Sequence, residues 1–154
     1  MATTTATRRL TAILAADVVG YSRLMGADEE GTHERCKAHL RELVNPKIRE
    51  HHGRIVKTTG DGVLAEFASV VDAVRCAGEI QHAMVDRDLD LAEEHRLRFR
   101  IGVNLGDVIA DGGDIYGDGV NIAVRLEGLA APGSVCLSGT VRDHIGDRLT
   151  SSPP

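Results

Sequence analysis

An α+β domain, with helices laid on one face of an antiparallel sheet, is the fold class that the sequence predicts. Three observations carry the prediction. Strand-like apolar runs and helix-spaced apolar stripes follow one another as β, α, β-hairpin, α, β, then helix and strand. A glycine-flanked turn, Thr58-Thr59-Gly60-Asp61-Gly62, separates two short β-prone runs. The 154 residues suffice for one domain with a real core, and 17 glycines suit a fold with many tight connections.

The order is justified element by element. Residues 1–8 are expected to be a flexible N-terminus, with the domain proper over 9–149 and a tail over 150–154. Leu10 to Val19 is apolar on both faces, as in a strand at the middle of a covered sheet. Gly20-Tyr21-Ser22 turns the chain and offers backbone N–H groups to an anion. Asp28-Glu29-Glu30 opens a helix whose buried stripe is Cys36, Leu40, Leu43, Val44 and Ile48, and Pro46 should kink it or end its first part.

The hairpin over Arg54 to Phe67 follows, and Ser69-Val70-Val71-Asp72 starts a second long amphipathic helix like a capping box. Its stripe is Val70, Val74, Ala77 and Met84, flanked by Ala73 and Ile80. After a polar connection over Asp86 to His95, Leu97, Phe99, Ile101, Val103 and Leu105 alternate with Arg98, Arg100, Gly102 and Asn104, as in a strand with one buried face. Asp107 to Gly119 is rich in Asp and Gly. Val120 to Ala130 reads as a helix stopped by Pro132-Gly133, with Ile122, Leu126 and Leu129 toward the core and Asn121 and Arg125 sharing another face. Val135 to Leu137 is a short strand, and Gly139 to Ile145 a short helix.

Charge and cysteine usage narrow the function classes. The net charge of −5, with acids and bases interspersed, provides no basic stripe for nucleic acid. Cys36, Cys76 and Cys136 are odd in number and in no metal spacing, so reduced thiols in a cytoplasmic chain are expected. No apolar run approaches the ~20 residues of a membrane-crossing helix, and the apolar run after Arg8-Arg9 ends on Asp17 without a cleavage site. There is no Walker-type Gly-Lys-Ser/Thr, no third glycine of a dinucleotide fingerprint after Gly117-Asp118-Gly119, no EF-hand spacing, no HExxH pair and no GxSxG elbow.

Two acids stand out. Asp17 ends a central strand, where a buried charge is costly unless paired or metal-bound, and Asp61 sits on a hairpin tip. Two carboxylates so placed suit two hard cations such as Mg²⁺, which take oxygen ligands and clamp an attacking and a leaving oxygen. Taken alone, Asp17 also fits a cap for the next turn, and Lys57 with Asp61 also fits an incidental surface charge pair.

Three blocks, Ala16 to Ser22, Lys57 to Gly62 and Asp114 to Arg125, occur in fixed order and together resemble the class III nucleotidyl cyclase catalytic domain. The resemblance runs from about Arg9 to Ser138 and implies a ferredoxin-like βαββαβ core. It also implies adenylate cyclase activity in a homodimer with shared active sites and two Mg²⁺ or Mn²⁺ ions per site. By the same resemblance Asp17 and Asp61 hold metal, and Lys57 and Asp114 read the adenine edge of ATP. Asn121 then orients the ribose and Arg125 stabilises the transition state, with the metal acids facing the other four residues of a second subunit. Lys57 can donate to adenine N1 and Asp114 can accept from the N6 amine, the reverse of what guanine presents.

Asp107 departs from the pattern, standing where some members carry a triphosphate-binding arginine. The family's final strands, with a triphosphate-binding lysine, are expected after Leu149, where the sequence instead reads Thr150 to Pro154. Two competing functions follow. One is a catalytically weak, cyclase-like module for nucleotide binding or regulatory dimerisation; on either reading regulatory domains are expected as possible partners in the native protein. The other is a diguanylate cyclase or polymerase palm, of whose Gly-Gly-Asp-Glu-Phe signature only Gly112-Gly113-Asp114 is present.

Overall fold

A computed structural model describes residues 6–146. At its centre lies β1 (Thr7–Val18), paired antiparallel with β3 (Gly62–Phe67) on one side and β4 (Phe99–Asp111) on the other. With β2 (Arg54–Thr58) and β5 (Asp114–Tyr116) the strand order is β2-β3-β1-β4-β5, the ferredoxin-like arrangement with one added strand. β6 (Val135–Leu137) joins β4 in parallel. Thr7 and Arg8, expected in a flexible N-terminus, already belong to β1. The expected tail and the end of the domain at Leu149 lie outside the described residues.

From Thr11 to Val18, β1 is buried on both faces, as its composition requires. Ala12, Leu14, Ala16 and Val18 face the larger core, and Ile13 and Ala15 face a second core with Val108, Ile115, Val120 and Ala123. Helices therefore cover both faces of the sheet, which corrects the one-face expectation. The covering element is α5 (Asp118–Leu129), and Gly102 admits it. A Cβ at Gly102 would stand 2.4 Å from the Glu127 nitrogen and 2.5 Å from the Ala123 oxygen, so only glycine lets α5 lie this close to β4.

The same contact reverses the expected core face of α5. Val120, Ala123 and Glu127 are buried, whereas Ile122, Val124 and Leu129 are 38%, 48% and 71% exposed. Small residues set the approach of this helix, and the large apolar side chains are left outside.

The first connection is wholly helical. Gly20, at φ 65°, turns directly into α1 (Tyr21–Ala27), where only a turn is expected from sequence. Asp28 caps α2 (Glu29–His39) by accepting from the Gly31 N–H at 3.0 Å. A π-helical turn over Leu40–Val44 leads into α3 (Asn45–Glu50), with Pro46 in its first turn, so the α-helical part ends at His39, before Pro46, and the helical run continues past the proline.

In α4 (Val70–Arg87), Ser69 accepts from the Asp72 N–H at 3.1 Å, and Val70, Ala73, Ala77, Ile80 and Met84 are buried as the spacing predicts. β4 runs on to Asp111 and turns through Gly112 and Gly113 (φ 61° and 88°) into β5, making a hairpin in the Asp- and Gly-rich stretch to which the sequence assigns no element. α6 (Gly139–Ile145) is capped by Ser138. Among the described residues no helix is long and apolar enough to cross a membrane, and the three thiols are free, Cys36 and Cys76 being buried.

One buried polar network joins α2 to the end of α4. His39 Nδ1 accepts from Arg87 Nε at 2.8 Å, which leaves Nε2–H to donate to Asp88 Oδ1 at 3.1 Å. Asp88 Oδ2 accepts the Leu97 N–H, and Arg87 also binds Glu42. Burial first, with Arg87 beside it, holds the His39 pKa below its usual value, against the pull of Asp88 and Glu42. An unfolded chain takes up this proton near pH ~6.5 while the folded chain resists, so stability falls as pH drops below that value. The urea midpoint should decline between pH 7.5 and 5.5, and decline less in His39→Gln. Equal declines would remove His39 as the cause.

Candidate active site

The hairpin between β2 and β3 is built to present Asp61. Thr59 N–H donates to the Gly62 carbonyl at 2.9 Å, closing the turn, and Val18 N–H donates to the Asp61 carbonyl at 3.2 Å, fastening the tip to the end of β1. Gly62 is opposite Asp17 in the β1–β3 register. A Cβ on Gly62 would stand 2.2 Å from the Ala16 carbonyl oxygen, so the glycine is what allows the two acids to approach. Asp17, Asp61, Lys57 and Glu127 then line one open groove of about 290 Å³, walled by Ala15, Val63, Val120 and Val124.

Asp17 is held by a residue that sequence reasoning missed. Arg100 lies directly opposite it in the β1–β4 register and grips it with two parallel bonds, Nε to Oδ1 at 3.0 Å and Nη2 to Oδ2 at 2.8 Å. Alternation along β4 had put Arg100 on a solvent face. Glu127, also missed, is 9% exposed on the buried side of α5. Burial and the charge of Asp17 push its pKa up to about 8, with Arg100 opposing. A Glu one turn from the end of an otherwise apolar helix face was the available signal.

Electrostatics distinguish this groove from an ordinary surface. Burial, then the charge of Asp17, raises the Asp61 pKa, while the backbone N–H groups of Asp61 and Val18 and the Arg100 charge work against the rise. Negative charge is thus crowded beyond what Arg100 neutralises. An all-oxygen donor set of this kind suits a hard divalent cation, so the residues fit Mg²⁺ or Mn²⁺.

Lys57 and Asp114 meet although their strands stand at opposite ends of the sheet order. Lys57 Nζ lies 3.2 Å from Asp114 Oδ1, with both side chains about half exposed. Asp114 also accepts its neighbour Ile115 N–H at 2.7 Å, and the bond from Lys57, ahead of that one, holds its pKa below the usual carboxylate value. Asn121 and Arg125 behave differently. Both are exposed on α5, about 100° around the helix from Val120 and Val124. One chain therefore gathers Asp17, Asp61, Lys57 and Asp114 at or beside the groove and leaves Asn121 and Arg125 facing outward, on a helix that also exposes Ile122 and Leu129.

Comparison with known proteins gives a consistent picture. The adenylate and guanylate cyclase catalytic domain pattern matches residues 5–150. "Putative adenylate cyclase 3" of Rhizobium meliloti is 50% identical over 141 residues, covering 92% of this chain and 24% of that protein. A pH-sensitive adenylate cyclase of Mycobacterium tuberculosis is 32% identical over 139 residues, covering 86% of this chain and 32% of that protein. The chain thus spans about a quarter to a third of these relatives' length. Among solved structures, an adenylate/guanylate cyclase/hydrolase from Silicibacter pomeroyi superposes with a TM-score of 0.88 at 50% identity, over 96% of this chain and 86% of that one. The adenylyl cyclase CyaB of P. aeruginosa, at 22% identity and a TM-score of 0.81, covering 92% and 83%, shares the fold.

Proposed function

The chain belongs to the adenylate and guanylate cyclase catalytic domain family, and from that premise we propose that it converts ATP to 3′,5′-cyclic AMP and pyrophosphate as a homodimer. The observation that carries the adenylate assignment is the Lys57–Asp114 pair, 3.2 Å apart. A donor next to an acceptor in this order complements adenine N1 and its N6 amine. Guanine, with N1–H and O6, would meet the wrong partner at both atoms. A site that leaves two polar contacts mismatched rejects the wrong base strongly.

Each residue then has a task. Asp17 and Asp61 of one protomer would hold two divalent cations, whose chemistry when bound is to acidify the ribose 3′ hydroxyl and offset charge on the departing pyrophosphate. Arg100 fixes the Asp17 carboxylate in plane, so that this ligand need not be reoriented. From the partner protomer Lys57 and Asp114 orient the base and Asn121 the ribose, while Arg125 meets the charge that develops on the α-phosphoryl oxygens. The outward placement of Asn121 and Arg125 supports a site completed by a second copy. The full set of six residues favours catalysis over a binding-only module.

The direct test is cyclic nucleotide formation from ATP and from GTP, each with Mg²⁺ and with Mn²⁺. ATP should be preferred, and chelation should stop the reaction. Replacing Lys57→Glu together with Asp114→Cys should lower kcat/KM for ATP by about 10²-fold or more and raise relative use of GTP. A native preference for GTP would overturn the adenine assignment.

A further inference from the structure

β2 and β5 are the two ends of the strand order, yet the sheet curls until they touch. Their contact is made by side chains, the Lys57–Asp114 pair and a bond from Arg54 Nη1 to the Gly113 carbonyl oxygen at 2.8 Å. We propose that Arg54 is a specificity-positioning residue, which holds the β4–β5 turn against β2 and so sets the spacing of Lys57 and Asp114. The proposal rests on the base-reading role given above to that pair.

Strand geometry puts Arg54 in place for this. Residues three apart on a regular strand point to opposite faces. Here the register of β2 shifts between Ile55 and Lys57, so Arg54 pairs with Glu66 and Lys57 with Leu64, two residues apart on β3. The bulge at Val56 therefore puts Arg54 and Lys57 on the same face, both toward the β4–β5 turn.

Arg54 is also held rigidly. Its Nε and Nη2 both donate to Glu66 Oε1, the first at 2.9 Å, and Arg9 Nη2 from β1 reaches the same oxygen at 2.6 Å. Glu66 is only 9% exposed on its side chain, so this anchor is fixed by the central strands. With one edge of the guanidinium on Glu66, the remaining Nη1 points at Gly113.

The β4–β5 turn needs such a support. Gly112 and Gly113 both have positive φ, and β5 is only three residues long. Asp114 follows directly. A half-exposed ion pair fixes such a turn only weakly, because solvent screens it and a lysine side chain is flexible. The guanidinium, 46% exposed but anchored on buried Glu66, makes the stiffer link, and its bond to Gly113 lies one residue from the acceptor that would read the N6 amine.

A double-mutant cycle tests this. Arg54→Ala should raise KM for ATP and lower the ATP-to-GTP preference about tenfold with kcat little changed, and should lower the thermal midpoint, since buried Glu66 keeps only Arg9 as a partner. Arg54→Lys should recover only part of the loss, since one ammonium cannot serve Glu66 and Gly113 together. In an Asp114→Ala background, Arg54→Ala should cost little more, because the residue it positions is gone. Undiminished loss in that background, or unchanged KM and preference in Arg54→Ala, would overturn the proposal. Should Asp114→Ala keep the full ATP preference, the base-reading premise falls and the proposal with it. Arg54→Gln carries the same comparison if the alanine variant does not fold.

Discussion

Asp17→Ala and Asp61→Ala should each reduce cyclic nucleotide formation by ~10³-fold or more while the chain still folds. In the proposed site the two acids would supply the hard-oxygen ligands of the groove they line, and neither could replace the other from its own element. Their effects on stability should differ, and this separates a site role from a structural one. Asp61 sits where burial and the Asp17 charge both disfavour its ionised form, so its removal relieves repulsion and should leave the thermal midpoint unchanged or raised. Asp17 is bound bidentately by Arg100, so Asp17→Ala strands a partly exposed guanidinium and should lower the midpoint modestly. Cyclase assays, thermal melts and titration with Mn²⁺ and ATP check all of this. Wild-type-like turnover in either variant, with metal present, would sink the assignment of Asp17 and Asp61.

The sequence made these two acids legible because their backbone context is local. A strand apolar on both faces that ends on Asp17, and an acid between two glycines at a hairpin tip, need no knowledge of distant residues. Ser69 at the head of α4 was readable for the same reason. Arg100 and Glu127 were not, because their importance comes from Asp17, 83 residues before Arg100 in the chain. Alternation along β4 identified what faces the larger core but not that α5 covers the other side.

The α5 face was misread for a related reason. Apolar periodicity gives weight to large side chains, and this helix packs through the Ala123 and Glu127 backbone against Gly102 and through Gly119 against Gly106 and Asp107. The β4–β5 hairpin was missed because its glycine pair sits in a stretch of acids and glycines. Only pairing with Ile109 to Asp111 makes Asp114 to Tyr116 a strand.

Mixing two dead variants should restore activity, and that follows from where α5 points. In the proposed site Asp61→Ala would remove a metal ligand and Arg125→Ala the phosphoryl contact, each leaving the other half intact. If every site combines the acids of one protomer with Arg125 of its partner, a mixed dimer has one site carrying both lesions and one carrying neither. Random pairing of equal amounts makes half the dimers mixed, so about a quarter of all sites are intact. Activity should rise from near zero to about that fraction of wild type. The exposed Ile122 and Leu129 share one side of α5 and give it an apolar strip for such pairing, with Arg125 beside them on that side. If both groups instead acted within one chain, every protomer in the mixture would remain dead. Continued inactivity, once differently tagged variants are shown to co-purify as heterodimers, would therefore contradict the shared site and require Arg125 to reach the groove of its own chain.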